Sequence, residues 1–119
     1  MAETSLKTLI LEDDPDLAML LSLALMRRGY DCAVASTLAQ GRALLDEQCF
    51  AYVILDLVLP DGSGTELLSA LPLGASRDAV VIVSSGNVTD TTKADRRIDH
   101  VFCKPYELDA LLDCMGAAR

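Results

Sequence analysis

The chain has 119 residues, 51% of them hydrophobic and 24% charged, with 7 Gly and 4 Pro, a balance that excludes disordered, collagen-like and coiled-coil chains. At this length folding buries roughly 65% of the unfolded surface, enough for one core, so residues 1–119 are expected to form a single domain with no second module. The 18 acidic residues against 10 basic ones leave a net charge of −8, and no basic cluster is longer than Arg27-Arg28 or Arg96-Arg97, which argues against a nucleic-acid surface.

The first strand is expected at Leu6 to Leu11, a short apolar run that stops at Glu12-Asp13-Asp14-Pro15-Asp16. Asp14 suits a helix cap and Pro15 the first helical position. Leu17, Leu20, Leu21, Ala24 and Leu25 then recur at helical spacing up to Gly29, a natural stop. Tyr30 to Ala35 reads as a second strand, Ser36 or Thr37 as the next cap, and Leu38, Gly41 and Leu45 as a second helical stripe. A third strand, Ala51 to Leu55, ends at Asp56, and the turn-rich stretch Leu57 to Gly64 leads into a short helix from Thr65 to Leu71, closed by Pro72 and Gly74.

Val80 to Val83 is the most hydrophobic strand and runs into Ser84-Ser85-Gly86. The stretch from Asn87 to Asp99 is polar and Thr-rich, with only Val88, Ala94 and Ile98 to bury, so a short or frayed helix is expected there. Val101 to Cys103 is the fifth strand, ending at Lys104-Pro105, and Leu108, Leu111, Leu112 and Met115 mark a last helix. The apolar runs, such as residues 79–83, fall far short of the roughly 20 residues that cross a bilayer. Residues 1–7 lack the basic and apolar regions of a secretory signal, so a cytoplasmic setting is expected.

Five strands alternating with helices, each apolar on both faces, imply a doubly wound α/β fold with a parallel sheet covered on both sides. Such sheets bind ligands at the carboxyl ends of their strands. The residues expected just past those ends are Glu12-Asp13, Asp56, Ser84-Ser85 and Lys104. Carboxylates this close repel unless a cation or protons intervene, and ligation by oxygen alone favours a hard ion such as Mg²⁺. With an ammonium and a hydroxyl added, the crevice suits a phosphoryl group transferred in line onto a carboxylate.

Each position has a plainer reading. Glu12-Asp13-Asp14 also suits the acidic start of a helix, Asp56 and the serines suit turns, and Lys104 suits a solvated charge. All of them coinciding at the ends of separate strands favours a site. Cys32, Cys49, Cys103 and Cys114 show no CxxC spacing and read as small core residues in a reducing compartment. His100, the one histidine, reads as a loop or strand-start residue, not a zinc ligand.

Three motifs resemble the receiver domain of two-component response regulators: Leu9-Ile10-Leu11-Glu12-Asp13-Asp14-Pro15, Asp56-Leu57-Val58-Leu59-Pro60-Asp61-Gly62-Ser63-Gly64, and Lys104-Pro105-Tyr106. The resemblance covers essentially the whole chain. It implies a flavodoxin-like five-stranded sheet of order 2-1-3-4-5. It implies that Asp56 accepts a phosphoryl group from a phosphohistidine on a partner kinase or phosphotransfer protein. Mg²⁺ would then be held by Asp13, Asp56 and the backbone carbonyl of Val58, with Glu12 acting through coordinated water. Lys104 would contact a phosphoryl oxygen, across a Lys104–Pro105 bond expected to be cis. Ser84 would be the hydroxyl that moves to the phosphoryl oxygen, with Ser85 as its rival.

The chain departs from the family pattern at Val101, three positions before the lysine, where an aromatic residue is usual. The segment between the hydroxyl and the lysine is also short and poorly helical. A stand-alone receiver would signal through phosphorylation-dependent protein contacts, with no nucleic acid or membrane as partner. Two other readings remain beside it. A haloacid-dehalogenase-type phosphatase would need a second Asp where Val58 stands, and a binding module that is no longer phosphorylated has no need of five competent polar positions.

Overall fold

The computed structural model describes residues 7–86 and 88–115. Expectations that fall on Leu6 and Asn87 lie outside them. The first strand, β1 (Lys7–Leu11), leads into α1 (Pro15–Arg27), with Pro15 at its first turn. The Asp14 side chain accepts from the amides of Asp16 at 3.0 Å and Leu17 at 3.4 Å, which satisfies donors the helix leaves open. At the other end Gly29 adopts φ 94°, a conformation a side chain would strain. The amides of Gly29 and Tyr30 then reach back to the carbonyls of Met26 and Leu25, which closes the helix in a Schellman motif.

Strand β2 (Asp31–Ala35) and helix α2 (Leu38–Glu47) follow, with Thr37 rather than Ser36 as the cap. Ser36 instead bonds the Gln40 side chain. After β3 (Tyr52–Leu55) the turn-rich stretch forms a small antiparallel ribbon, β4 (Val58–Leu59) and β5 (Gly62–Ser63). Helix α3 (Thr65–Ala70) runs on into a 3₁₀ turn at Leu71–Leu73. The last elements are β6 (Val80–Ser85), α4 (Asp90–Ala94), β7 (His100–Cys103) and α5 (Leu108–Met115).

The main sheet has five parallel strands in the order β2-β1-β3-β6-β7. Counting its strands alone, that is 2-1-3-4-5, as the resemblance implied. The central strands are buried on both faces, and alternation along them sorts two apolar layers. Leu9, Leu11, Val53, Leu55 and Val81 pack with Phe50, Leu67 and Leu68 on one side. Ile10, Ile54 and Ile82 pack with Leu21, Leu25, Leu111 and Leu112 on the other. Gly41 lets α2 lie close on the sheet, since a Cβ there would meet the Leu11 side chain at 2.7 Å.

Several expectations need correction. Ser84 and Ser85, expected just past the fourth strand, are its last two residues, paired with Phe102 and Cys103. β7 extends the ladder that far, so the strand outlasts its apolar run. Leu20 on α1 is exposed and Ala18 is buried in its place, because the buried stripe follows Ala18, Leu21 and Leu25. The short helix expected between Asn87 and Asp99 is present, five residues long, and it buries none of them. Val88 and Ile98 are half-buried while Ala94 is exposed. Only Cys32 and Cys114 are even half-buried, and Cys49 and Cys103 are exposed, so the thiols are not core residues as a set. His100 begins β7.

Candidate phosphoryl and metal site

The polar residues at the carboxyl edge are held there by the backbone ladder itself. The Glu12 amide donates to Ala35 O of β2 at 3.0 Å, the Asp56 amide to Leu11 O of β1 at 3.0 Å, and the Lys104 amide to Ser85 O of β6 at 2.8 Å. Each residue thus stands one step past its own strand while its main chain is fixed to a neighbour. That arrangement aims side chains from three strands into one crevice without relying on loop rigidity.

Glu12 and Asp56 are buried, at 3% and 6% exposure, while Asp13 is exposed beside them. Lys104 joins the buried pair. Its Nζ donates to Glu12 Oε1 at 2.7 Å and to Asp56 Oδ2 at 3.0 Å. The other Asp56 oxygen, Oδ1, accepts from the Val58 amide at 3.1 Å, and Glu12 Oε2 accepts from the Asp14 amide at 3.2 Å. Every oxygen of the two buried carboxylates therefore has a donor. Gly64 covers the strand end so closely that a Cβ there would collide with the Asp56 carbonyl oxygen.

Burial raises the Glu12 carboxyl above its ordinary range, and the bonds from Lys104 and the Asp14 amide offset this only in part. Burial would lower the Lys104 ammonium, but its bonds to Glu12 and Asp56 outweigh that and raise it. The two shifts differ in what they favour: Lys104 is held charged, while burial works against the charge on Glu12. Among the described residues, Glu12, Asp13 and Asp56 each present an oxygen within 4.8 Å of the other two. An all-oxygen set with this much negative charge fits a hard divalent cation.

Ser84 is buried on the α1 and α5 side of the sheet, level with Phe102, and Ser85 is buried beside it. Val101 pairs with Val83, so alternation turns it to the opposite face. The Lys104–Pro105 bond is cis, as expected. Two neighbours of the site went unseen in the sequence. Asp61, read as a turn residue, caps α2 from a distance, accepting from the amides of Leu38 at 2.8 Å and Ala39 at 3.1 Å. Tyr106 brings its phenol to the Ser84 side of the crevice, where burial raises its pKa and the Ser84 hydroxyl lowers it. No local pattern announces either contact, since both join residues far apart in the chain.

Comparison with known proteins agrees with this geometry. The chain is 36% identical over 108 residues to the transcriptional regulatory protein PmrA of Pectobacterium parmentieri, a match covering 89% of this chain and 49% of the relative. It spans about half the length of that relative. Its fold superposes with a TM-score of 0.84 on a CheY-like receiver domain protein from Methanospirillum hungatei JF-1, 25% identical, covering 92% of this chain and 89% of that one. A second structure, a response regulator protein from Burkholderia pseudomallei with a phosphorylated aspartic acid, calcium ion and citrate, gives a TM-score of 0.81 at 27% identity. That match covers 89% of this chain and 64% of the other. The family model described as the response regulator receiver domain matches residues 8–115, nearly every residue of the fold traced above, and the chain belongs to that family.

Proposed function

We propose that Asp56 is the phosphoacceptor of a phosphorylation-operated switch. The observation that carries this reading is the Asp56 carboxylate itself, buried at the carboxyl edge of the sheet and bonded to Lys104 on one oxygen and to the Val58 amide on the other. An Asp56 oxygen attacks phosphorus, the P–N bond of a donor phosphohistidine breaks, and the imidazole leaves with the electron pair and takes up a proton. Lys104 shifts from Asp56 Oδ2 to a phosphoryl oxygen and offsets part of the roughly −1.5 to −2 charges that arrive. The Ser84 hydroxyl turns to another phosphoryl oxygen, and its buried, unpartnered oxygen favours it over Ser85.

The oxygen donors fit Mg²⁺, which Asp13, Asp56 and the Val58 carbonyl would hold, with Glu12 acting through coordinated water. When bound, the ion supplies neutralisation of phosphoryl charge. The phosphorylated aspartate and calcium of the Burkholderia pseudomallei relative support this reading. The only reactions catalysed are the chain's own phosphorylation and dephosphorylation. Neither Val58 nor Gly86 brings a side-chain base, so activation of the hydrolytic water comes from elsewhere.

The donor is a sensor histidine kinase or a histidine phosphotransfer protein, and output passes by phosphorylation-dependent contact to another protein, not to nucleic acid or membrane. The charge of −8 argues against a nucleic-acid partner. The free thiols support a cytoplasmic setting.

Intact-protein mass spectrometry after incubation with phosphoramidate tests this reading. The native chain should gain one phosphoryl unit with Mg²⁺ and none without it, and Asp56→Asn should gain none. No gain in the native chain, or an equal gain in the variant, overturns the assignment.

A further inference from the structure

Among the described residues three buried side-chain oxygens have no hydrogen-bond partner: Thr8 Oγ1, Ser84 Oγ and Tyr106 OH. Native proteins pair nearly all such atoms, so an orphan calls for a physical explanation. Two of these three lie together at the site. The Tyr106 phenol and the Ser84 hydroxyl interact, and Tyr106 also feels the charges of Glu12, Lys104 and Asp56, yet neither hydroxyl completes a bond of good geometry.

On β7 the residue level with Ser84 is Phe102, which has no polar atom, and Val101 is turned to the opposite face. The Tyr106 ring packs against Phe102, with centroids 6.0 Å apart and planes tilted by 53°. That contact fixes the ring while its oxygen stays on the Ser84 side. A serine hydroxyl has one proton and two lone pairs. Once its proton is donated to a phosphoryl oxygen, its lone pairs become better acceptors, and a neighbouring phenol is the donor in reach.

We propose that Tyr106 is a positioning residue for the phosphoryl response, its phenol donating to the Ser84 hydroxyl when that hydroxyl bonds a phosphoryl oxygen on Asp56. The proposal rests on Asp56 being the phosphoacceptor. It gives both orphaned oxygens their partners in the phosphorylated state. It also makes Tyr106, not residue 101, the aromatic residue coupled to the switch hydroxyl.

The test uses the full chain labelled with ¹³C at tyrosine Cζ and serine Cβ, with Mg²⁺ and beryllofluoride as the phosphoryl mimic. Fluorine NMR reports whether the adduct forms. The Tyr106 Cζ signal, assigned by its loss in Tyr106→Phe, should then move together with Ser84 Cβ. Tyr30 and Tyr52 are internal controls, because both phenols donate to Met115 O, at 3.1 and 3.2 Å, away from the site. Tyr106→Phe keeps the ring and removes one oxygen, and should bind beryllofluoride about two- to tenfold more weakly, the loss of one net hydrogen bond. An adduct that forms with Tyr106 Cζ unmoved, or one as tight in Tyr106→Phe as in the native chain, overturns the proposal while leaving the phosphoacceptor reading intact. Failure to form any adduct removes that reading, and the proposal with it.

Discussion

Lys104 stands between two buried carboxylates, and the free energy of the site before phosphorylation turns on that one ammonium. Replacing it by methionine leaves Glu12 and Asp56 buried and facing each other without a counter-charge. The expected cost near neutral pH is about 1–3 kcal/mol, the penalty for orphaning buried acceptors, held to that range because the Lys104 side chain keeps 24% of its exposure. The sign of the pH dependence follows from Glu12. Its carboxyl is raised by burial, so the folded state binds more protons than the unfolded one, and stability falls as pH rises above the ordinary glutamate range. Without Lys104 the shift grows. Denaturant titrations of Lys104→Met without Mg²⁺ should therefore show a larger deficit at about pH 7 than at about pH 5, and an equal deficit at both would contradict the burial argument. In phosphorylation assays the same variant should still accept the phosphoryl group but lose the conformational response.

Among the elements, α2 depends on a residue outside itself. The Thr37 side chain caps the Gln40 amide, at 3.1 Å, while the amides of Leu38 and Ala39 go to Asp61 in the loop that follows β3. Those bonds, the Leu38 amide foremost, lower the Asp61 carboxyl below its ordinary range. A lowered carboxylate contributes stability above its unfolded pKa and loses it as pH falls through the folded one. Asp61→Asn should thus reduce the thermal midpoint at neutral pH and reduce it less at about pH 3, as read by circular dichroism. The same contact ties the loop after Asp56 to α2, so the peptide that holds Asp56 Oδ1 is braced from the far side. Helix α4 has no such support. Its capping box of Thr89 and Thr92 is local, and it buries none of its residues, so among the described helices it is the one least anchored to the core.

For the whole molecule, the net charge of −8 and the acidic crevice act in the same direction. Collecting Glu12, Asp13 and Asp56 at one sheet edge costs electrostatic energy that a bound divalent ion recovers. Mg²⁺ at tenfold excess over its dissociation constant should add about 1.4 kcal/mol of stability by mass action. Sodium chloride at matched ionic strength should supply only screening. Scanning calorimetry of the native chain and Asp13→Asn separates the two effects. The variant should lose most of the Mg²⁺-specific increment, and an unchanged increment would place the ion elsewhere.

The sequence by itself determined what is local. Asp14-Pro15 at one end of α1 and Gly29 at the other specify start and stop through the bonds of their own neighbours. The runs at Thr8 to Leu11, Tyr52 to Leu55 and Val80 to Val83 are apolar on both faces because they lie in the middle of a covered sheet. A parallel sheet then leaves Glu12, Asp13, Asp56 and Lys104 at one edge, which is why the convergence of these four residues was legible in the sequence. Only the tertiary structure decided how the serines sit within β6, since β7 had to pair with them. It also decided that Leu20 faces outward, that Asp61 caps a helix 23 residues away and that Tyr106 meets Ser84. These depend on contacts between segments distant in the chain, and periodicity and propensity describe each segment only against its own neighbours.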